Sequence, residues 1–382
     1  MKRIAITTYW DTHTNYGQIL QGYALQQVLK KNGYYPFIIK YSLKEENSLY
    51  SHLLNRIKNG ISIKKLINGK YFKRLNKVIT IPLNDSNKSR DFDTFRKRMM
   101  FTEKCYDSYS ELKAAPPIAD VYLTGSDQVW GAWIRTQTKR IFLLDFGSAQ
   151  TKRIAYAASF SRDQLFKSEK ELYHRCLTQF SFVGIREKSG LNICSDLKLE
   201  NATLVADPTI LLTKDQWSSL TEKRTIRNFN FAYSVDTCED NPILKKTIVF
   251  LENQNSSLIY TSSALFEDPL SNCRPTVEEW ITYISRAKTV ATSSFHGVIF
   301  CLIFNTPFLA VLKPNKNRHN TRLISILNMV GLSDRLIDEG TSQEDLEKIS
   351  KTAIDWDEIN KKLALFRDNS IKMLIAALEK EN

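Results

Sequence analysis

The stretch "TVATSSFHGVIFCLIFNTPF", residues 289–308, decides how the second half of this sequence is interpreted. "TVATSS" is typical of a short buried strand, and "GVIFCLIFN" is typical of a buried helix. His296 and Gly297 lie where the two meet. Because the N–H groups and the dipole at a helix N-terminus attract anions, this junction predicts an anion site. The alternative is that Ser294 caps the helix and His296 bonds to a buried carbonyl.

The side chains at this junction suit a negatively charged ligand. Ser293 and Ser294 add hydroxyl donors, and Gly297 lets a ligand approach the backbone closely. His296 can donate a hydrogen bond to phosphate, or transfer a proton near neutral pH.

Three arginines are candidates to bind the same anion. Arg318 and Arg322 follow the next predicted strand, in "KPNKNRHNTRL" at residues 313–323, and Arg186 follows a strand of the first half, in "GIREKSG". Arginine contacts carboxylate or phosphate in a bidentate manner. The alternatives are an exposed basic loop for the first two and a surface ion pair with Glu187 for Arg186.

The chain as a whole alternates strands and helices. "RIAITTYW", residues 3–10, is a strand pattern, and "GQILQGYALQQVLKKNGY" repeats apolar residues at helical spacing before a stop at Gly33. "YPFIIKY" then completes a βαβ unit, which implies a parallel sheet and a right-handed crossover. A second series of strands and helices begins after residue 212.

These patterns predict an α/β protein with two Rossmann-like domains that face each other across a cleft. A length of 382 residues also favours two domains. We expect an N-terminal domain at 1–212, with a basic helical insertion at about 42–115, and a C-terminal domain at 213–352. Residues 353–382 are expected to form a helix that packs back on the N-terminal domain. Ligands of such sheets bind at the carboxyl ends of the strands.

Two polar loops of the first domain predict a site for hydroxyl groups. The loop "WDTHTNYGQ" after the first strand supplies four candidates, Asn15, Tyr16, Gly17 and Gln18. In "TGSDQVW", residues 124–130, we expect Asp127 and Gln128 to hold a sugar hydroxyl and Trp130 to stack on the sugar ring. The alternative is that Asp127 caps a turn and Trp130 lies in the core.

Charge and cysteine content limit the class of protein. The formal net charge is +13, and residues 56–104 hold 14 Lys/Arg against four Asp/Glu. That segment is interpreted either as a solvated helical insertion or as a surface that meets anionic membrane or a lipid-linked substrate. No nucleic-acid motif accompanies it, so no nucleic-acid partner is expected. The six cysteines show no zinc spacing and indicate reduced thiols, and we expect a cytoplasmic protein, peripheral at the inner membrane face if the basic segment binds lipid.

Motifs for cofactors and metals are missing from the sequence. No G-x-G, no G-x-x-x-x-G-K-[ST], no H-E-x-x-H and no G-x-S-x-G occurs. "DFD" at 91–93 has the D-x-D spacing of some metal sites, but it lies in a predicted basic helix and is set aside. We therefore expect no cofactor and no metal.

Five pieces occur in an order that resembles the polysaccharide pyruvyl transferase family. They are "NYGQILQGYALQQVLKKNGY", "LTGSDQVW", "GIREKSG", "VADPTILL" and "SSFHGVIFCLIFNTPF", within a resemblance that spans roughly residues 3–335. The resemblance implies a GT-B-like fold, phosphoenolpyruvate as donor and a glycan or lipid-linked oligosaccharide as acceptor. The product it implies is a cyclic pyruvate ketal that bridges two sugar hydroxyls, formed without metal or nucleotide.

The resemblance also assigns roles to particular residues. The His-Gly signature of the family's donor site falls on His296 and Gly297, so His296 is expected to contact the donor phosphate or donate the proton. Many members carry Arg two residues before that His, where this chain has Ser294, so Arg186, Arg318 or Arg322 is expected to supply the charge. Asp127 is the candidate for orienting or deprotonating the acceptor hydroxyl.

Two other functions fit the predicted fold. A GT-B glycosyltransferase that uses a nucleotide-sugar needs a base and ribose site, and no clear acidic partner for ribose lies near 258–300. A non-catalytic phospho-ligand or glycan-binding relative would keep the cleft without turnover.

Overall fold

The computed structural model describes residues 1–42, 90–223, 228–264, 268, 270–314 and 317–380, with the backbone alone for 317–319. Two parallel sheets, each flanked by helices, make up this part of the chain. The chain therefore has the predicted α/β architecture of two Rossmann-like units, and they meet along the carboxyl ends of their strands.

The first unit contains a seven-stranded sheet in the order β3-β2-β1-β4-β5-β6-β7. Its strands are β1 (Arg3–Thr7), β2 (Tyr35–Tyr41), β3 (Phe101–Tyr106), β4 (Val121–Thr124), β5 (Lys152–Ala158), β6 (Phe182–Ile185) and β7 (Ala202–Leu204). The described helices are α1 (Tyr16–Lys31), α2 (Phe92–Arg96), α3 (Tyr109–Ala114), α4 (Thr136–Phe142), α5 (Lys167–Leu177), α6 (Lys188–Asp196), α7 (Pro208–Leu211) and α8 (Lys214–Ser218). In register, Ile4 of β1 pairs with Pro36 of β2 and with Val121 of β4, which places β1 in the interior of the sheet, next to the central strand β4.

The second unit contains a five-stranded sheet in the order β12-β11-β10-β8-β9. Its strands are β8 (Phe229–Ser234), β9 (Ser257–Ser262), β10 (Val290–Thr292), β11 (Phe308–Val311) and β12 (Leu336–Ile337). The described helices are α9 (Pro242–Glu252), α10 (Val277–Arg286), α11 (Phe295–Phe304), α12 (Asn317–Val330), α13 (Gln343–Lys351) and α14 (Trp356–Glu379). Val290 of β10 pairs with Phe231 and Phe308, so the strand that precedes His296 lies in the middle of its sheet.

Helix α1 forms where the sequence pattern placed it. The side chain of Asn15 accepts a hydrogen bond from the Gln18 backbone N–H at 3.3 Å, which caps the helix. Gly33 lies just beyond the C-terminus with φ of +85°, a conformation that glycine adopts readily. The predicted stop at Gly33 is therefore confirmed.

The prediction of a helical insertion over 42–115 is wrong in its second half. Phe101–Tyr106 forms β3, an edge strand that pairs in parallel with β2. In its sequence, "FTEKCY", polar and apolar residues alternate only loosely. Its charged residues made the strand hard to recognise, and they lie at an exposed sheet edge, where charged residues are common. Residues 43–89, including most of the basic 56–104 segment, lie outside the described residues.

The two units share one hydrophobic core. A single cluster of buried residues includes Ile4 of β1, Leu20 of α1, Phe231 of β8 and Val298 of α11. Tyr16 stacks on Trp280 of α10, with ring centroids 5.2 Å apart. Its hydroxyl donates a hydrogen bond to the Pro275 carbonyl at 2.6 Å. The units are therefore packed against each other rather than joined by a linker alone.

The guanidinium of Arg90 forms hydrogen bonds to both units. Nη1 donates to the Thr14 carbonyl of the first unit at 3.2 Å, and Nη2 donates to the Ser262 carbonyl of the second at 2.8 Å. The side chain is almost fully buried. Charged donors of this kind form the stronger class of hydrogen bond.

Helix α14 runs from the second unit back to the first. Near its start, Lys362 Nζ donates to the Val330 carbonyl at 3.4 Å. Further along, Ser370 Oγ accepts from the Ala206 N–H at 2.9 Å, and Lys2 Nζ donates to the Leu378 carbonyl at 3.2 Å. The predicted C-terminal crossover helix is confirmed. Across the described residues, no helix is long and apolar enough to cross a membrane.

Candidate active site

A cavity of about 290 Å³ lies where the carboxyl ends of the two sheets face each other. It is lined by Asn15, Gln18, Asp127, Gln128, Trp133, Val235, Ser293, Ser294, Phe295, His296, Lys313, Arg322 and Leu323. Eight residues proposed from the sequence therefore share one cavity: Asn15, Gln18, Asp127, Gln128, Ser293, Ser294, His296 and Arg322. Loops after parallel strands meet at one edge of a sheet, which is why positions far apart in sequence converge here.

The start of α11 is fixed by Ser294 and Thr292. Ser294 Oγ accepts from the Gly297 N–H at 3.3 Å, and the Ser294 N–H donates to Thr292 Oγ1 at 3.1 Å. A Cβ at position 297 would lie 2.4 Å from Thr292 Oγ1, so only glycine fits there. Ser294 and Gly297 thus shape the helix start, and the capping alternative is the one observed for Ser294. The first-turn N–H groups of Phe295 and His296 are free of intrahelical acceptors.

His296 lies against a buried carboxylate that the sequence analysis did not assign. Its Nε2 is 3.5 Å from Asp207 Oδ2, and both side chains are almost completely buried. Nε2 has no hydrogen-bond partner of good geometry, so the contact with Asp207 is a close approach rather than a formed hydrogen bond. The imidazole therefore has a carboxylate beside it at one nitrogen.

Asp207 is held by three further partners. Its Oδ1 accepts from the Thr209 N–H at 3.0 Å and caps α7, while its Oδ2 accepts from Ser126 Oγ at 3.1 Å and from Arg186 Nη1 at 2.8 Å. Burial acts to raise the pKa of Asp207, but His296 and Arg186 outweigh it and hold this pKa well below its ordinary value. Asp207 therefore stays ionised beside the imidazole.

The other side of the His296 ring packs on Gly17, at the first turn of α1. A Cβ at position 17 would lie only 2.1 Å from His296 Nδ1, so the ring occupies the space that any side chain would need. Gly17 was predicted to bind acceptor hydroxyls. The structure instead gives it a packing role, in which a residue of the first unit positions the histidine of the second.

Arg186 lies between two carboxylates rather than on the cavity wall. Nη2 is 3.0 Å from Asp127 Oδ1, and Nη1 is 2.8 Å from Asp207 Oδ2. Burial acts to lower the pKa of Arg186, but Asp127, Asp207 and Glu187 prevail and raise it. Its guanidinium also lies over the ring of Phe295, 4.8 Å from the centroid. The alternative of a surface ion pair is wrong because the side chain is buried, and its contacts give Arg186 a positioning role between the two carboxylates, while donor binding by Arg186 stays a prediction.

Asp127 and Arg322 form the polar wall of the cavity. Asp127 has φ of +74°, which Asp tolerates better than most residues. Burial acts to raise its pKa, but Arg186, His296 and Arg322 together lower it below its ordinary value. Arg322 Nη1 lies 3.7 Å from Asp127 Oδ1. Burial, with repulsion from Arg186, lowers the pKa of Arg322 to about 10, so its guanidinium remains charged at neutral pH.

Two more polar groups complete that wall. The Gln128 amide oxygen, in the orientation that satisfies its neighbours, accepts from Arg322 Nη1 at 2.9 Å and from Ser161 Oγ at 3.0 Å. Lys313 Nζ is 2.8 Å from Asp236 Oδ1 and lines the cavity beside the start of α11. The cavity therefore presents a guanidinium, an ammonium and an imidazole, each next to a carboxylate.

Besides Gly17, Arg186 and Gly297, three more predicted site residues lie elsewhere or cannot be placed. Trp130 is fully buried, its Nε1 donates to the Phe142 carbonyl at 3.1 Å and its ring packs on Phe160, so the core alternative is correct and it stacks on no ligand. Tyr16 is equally buried in the contact between the units. The side chain of Arg318 lies outside the described residues.

Asp207, one of the residues that were missed, lies in a recognisable local pattern. It stands before Pro208 in "VADPTILL", which is typical of a helix N-cap but does not predict a contact with His296. Trp133 carried no signal beyond its residue type. In the described part of the chain, no His, Cys, Asp and Glu side chains are grouped to hold a metal ion.

Comparisons with known proteins agree with this architecture. A family model described as polysaccharide pyruvyl transferase matches residues 15–312, most of the chain. No curated protein matches it. A solved structure of a putative UDP-N-acetylglucosamine 2-epimerase from Listeria monocytogenes superposes with a TM-score of 0.52 at 10% identity, covering 100% of this chain and 97% of that one. The trehalose-6-phosphate phosphatase N-terminal domain from Candida albicans gives 0.50 at 9% identity, covering 99% and 97%. At such identities the likeness shows the fold alone, which is the two-domain arrangement called GT-B.

Proposed function

The chain belongs to the polysaccharide pyruvyl transferase family, and from this premise we propose that it transfers the pyruvyl unit of phosphoenolpyruvate to a sugar of a surface glycan. The product is a cyclic ketal between the central carbon of pyruvate and two sugar hydroxyls, and inorganic phosphate is released. The observation that carries the proposal is His296, which lies beside the buried Asp207 in a cavity that also holds Arg322 and Lys313.

The first step adds a sugar hydroxyl across the double bond of the donor. A proton from the His296 imidazolium goes to the methylene carbon, which becomes a methyl group. The central carbon gains oxocarbenium character, and the oxygen of the sugar hydroxyl forms the new C–O bond while its O–H bond breaks. That proton returns to the neutral His296 imidazole, so the addition consumes no net proton. The carboxylate of Asp207, 3.5 Å from Nε2, lies next to the nitrogen that we propose as the proton donor.

The second step forms the ring and breaks the bond to phosphate. A second hydroxyl of the same sugar attacks the central carbon, phosphate leaves with the C–O bond electrons, and the proton of that hydroxyl passes to the released phosphate. Negative charge grows on the phosphate as this bond breaks, so fixed cations stabilise the transition state more than the ground state. Arg322, Lys313 and the first-turn N–H groups of α11 are the positive groups around the cavity.

Asp127 is better suited to orient the acceptor hydroxyl than to deprotonate it. A carboxylate whose pKa is lowered is a weak base, and the pKa of Asp127 is lowered by its arginine and histidine neighbours. Its oxygens can still accept a hydrogen bond from a sugar hydroxyl and fix its approach to the donor.

The acceptor we propose is part of a polysaccharide or of its lipid-linked precursor, met at the cytoplasmic face of a membrane. The support is the basic segment 56–104, with 14 Lys/Arg. Within its described part, Arg96 pairs with Asp93 at 2.5 Å and Arg98 with Glu278 at 3.1 Å. Lys97 between them is exposed.

The test is release of inorganic phosphate from phosphoenolpyruvate, measured with a panel of polysaccharide and glycolipid acceptors. We expect acceptor-dependent release by the wild-type protein and a loss of about 10²–10⁴-fold in His296→Ala, with the fold retained. His296→Gln, which keeps polarity without proton transfer, should be equally slow. Wild-type rates in His296→Ala would refute the role of the imidazole. Binding of nucleotide-sugars without phosphoenolpyruvate binding, measured by calorimetry, would refute the reaction class.

A further inference from the structure

A second cavity, of about 310 Å³, adjoins the one that contains His296. Two side chains, Gln18 and Trp133, line both cavities. The second cavity lies entirely on the first unit, at the carboxyl ends of β1 and β2. Its other lining residues are Tyr9, Trp10, Asp11, Thr12, Tyr41, Ser42, Ile134, Arg135 and Thr138. Its size is at the lower end of the roughly 300–1,000 Å³ found for small-molecule sites.

Trp133 gives this cavity an aromatic wall. Its side chain is 47% exposed, whereas Trp130, three residues earlier, is fully buried. An indole that faces solvent at a cavity supports a large flat contact, and the C–H face of a pyranose ring fits such a surface. Trp133 thus takes the place that the sequence analysis gave to Trp130.

Asp11 supplies a fixed hydrogen-bond acceptor at the rim. Its Oδ1 is 3.1 Å from His13 Nε2 and 4.0 Å from Arg96 Nη2, while its side chain remains 53% exposed. Gln18 adds an amide that is not used to hold α1, because the helix contacts of this residue run through its backbone N–H and carbonyl. Arg135 lines the same cavity, so its wall carries both signs of charge. Carboxylate oxygens accept hydrogen bonds from neutral hydroxyl groups and guanidinium N–H groups donate to them, so this lining suits a neutral ligand rich in hydroxyls.

From these contacts we infer that the second cavity is the acceptor subsite and binds a neutral hexopyranose stacked on Trp133. Hydroxyls on one edge of the sugar bond to Asp11, and the opposite edge passes Gln18 and enters the cavity of His296. The ring then presents two of its hydroxyls toward the donor from the side of the first unit. This inference rests on the proposed function, since it assigns the sugar that the reaction consumes.

Saturation-transfer NMR tests the subsite without turnover. The probes are the methyl glycosides of glucose, galactose, mannose and N-acetylglucosamine, each added to the full chain at millimolar concentration. We expect transfer to the ring protons of at least one probe, loss of this transfer in Trp133→Ala and its retention in Trp133→Phe. Phe166→Ala is the matched control, because Phe166 is 46% exposed and lines neither cavity. No transfer to any probe, or equal transfer in Trp133→Ala, would overturn the inference.

A kinetic measurement separates this inference from the proposed reaction. In phosphate release, Trp133→Ala should raise the acceptor KM about tenfold, equivalent to ~1.4 kcal/mol, with the KM of phosphoenolpyruvate unchanged. An equal rise in both KM values would overturn the acceptor assignment. Calorimetric titration with phosphoenolpyruvate tests the donor alone. If phosphoenolpyruvate does not bind while sugar binding depends on Trp133, the proposed function is refuted and the sugar subsite is retained.

Discussion

Replacement of Gly17 by alanine is the sharpest test of how the two units build the site. Gly17 belongs to the first unit, and the His296 ring of the second fills the space above its Cα. The backbone at Gly17 lies outside the left-handed region, so alanine adopts it without backbone strain. The added Cβ would lie 2.1 Å from His296 Nδ1, and the imidazole has to move by at least about 1.3 Å to reach an ordinary contact of 3.4 Å.

This displacement should cost activity far more than stability. A shift of about 1 Å in a catalytic group can slow a reaction about 10²-fold, so we expect at least that loss in phosphate release by Gly17→Ala. Overpacking costs about 1–3 kcal/mol, whereas alanine is favoured over glycine in a helix by up to about 1 kcal/mol. The free energy of unfolding should therefore fall by about 0–3 kcal/mol.

Steady-state phosphate release, together with urea unfolding of each variant, checks both numbers. Gly22→Ala is the matched control in the same helix. Its Cβ would meet the movable Met99 Cε at 3.3 Å, with Ile38 Cδ1 at 3.5 Å and Thr8 Cγ2 at 3.8 Å in ordinary contact, so its turnover should stay near wild type. Wild-type turnover in Gly17→Ala would show that the position of the His296 ring does not limit the reaction, and the assignment of His296 would fail with it.

Four other outcomes are expected. Asp207→Asn leaves Arg186 without one of its carboxylates and should lower the free energy of unfolding by about 3–5 kcal/mol in urea titration. Because the pKa values of Asp127 and Asp207 are lowered in the folded chain, their stabilisation is complete above the ordinary Asp pKa of about 3.9. The urea midpoint should accordingly drop as the pH falls below about 4, and less steeply in Asp207→Asn. Trp130→Ala should cost about 3–5 kcal/mol of stability by opening a core cavity, and a similar cost for the half-exposed Trp133 would contradict its place at the surface. Arg322→Gln should raise the KM of phosphoenolpyruvate by about 10–150-fold, the equivalent of losing a charged hydrogen bond of about 1.5–3 kcal/mol, and an unchanged KM would exclude Arg322 from donor binding.

The fold was largely predictable because its central elements carry strong local patterns. Helix α1 has its cap at Asn15 and its glycine stop at Gly33, and the flanking strands β1 and β2 are short apolar runs. Strand β3 was missed because it lies at the edge of the sheet. There, exposed charged side chains replace the apolar pattern that identifies a buried strand.

The site was predictable to the extent that strand ends define it. His296, Asp127 and Arg322 each follow a strand of a parallel sheet, and this topology brings them to one cavity. The contacts between side chains were not predictable. Arg186 could contact either a ligand or buried carboxylates, and the choice depends on side-chain packing. Its partner Asp127 is 59 residues away in the sequence, so no local pattern predicts their contact.

The pairing of His296 with Asp207 joins groups from different lobes of the molecule. The carboxylate follows the last strand of the first sheet, and the imidazole follows the middle strand of the second. If the two lobes separated, the His296 ring would lose its contact with Asp207 and its packing on Gly17 together. In the proposed reaction, the acid and its carboxylate neighbour are therefore assembled only where the two lobes are in contact.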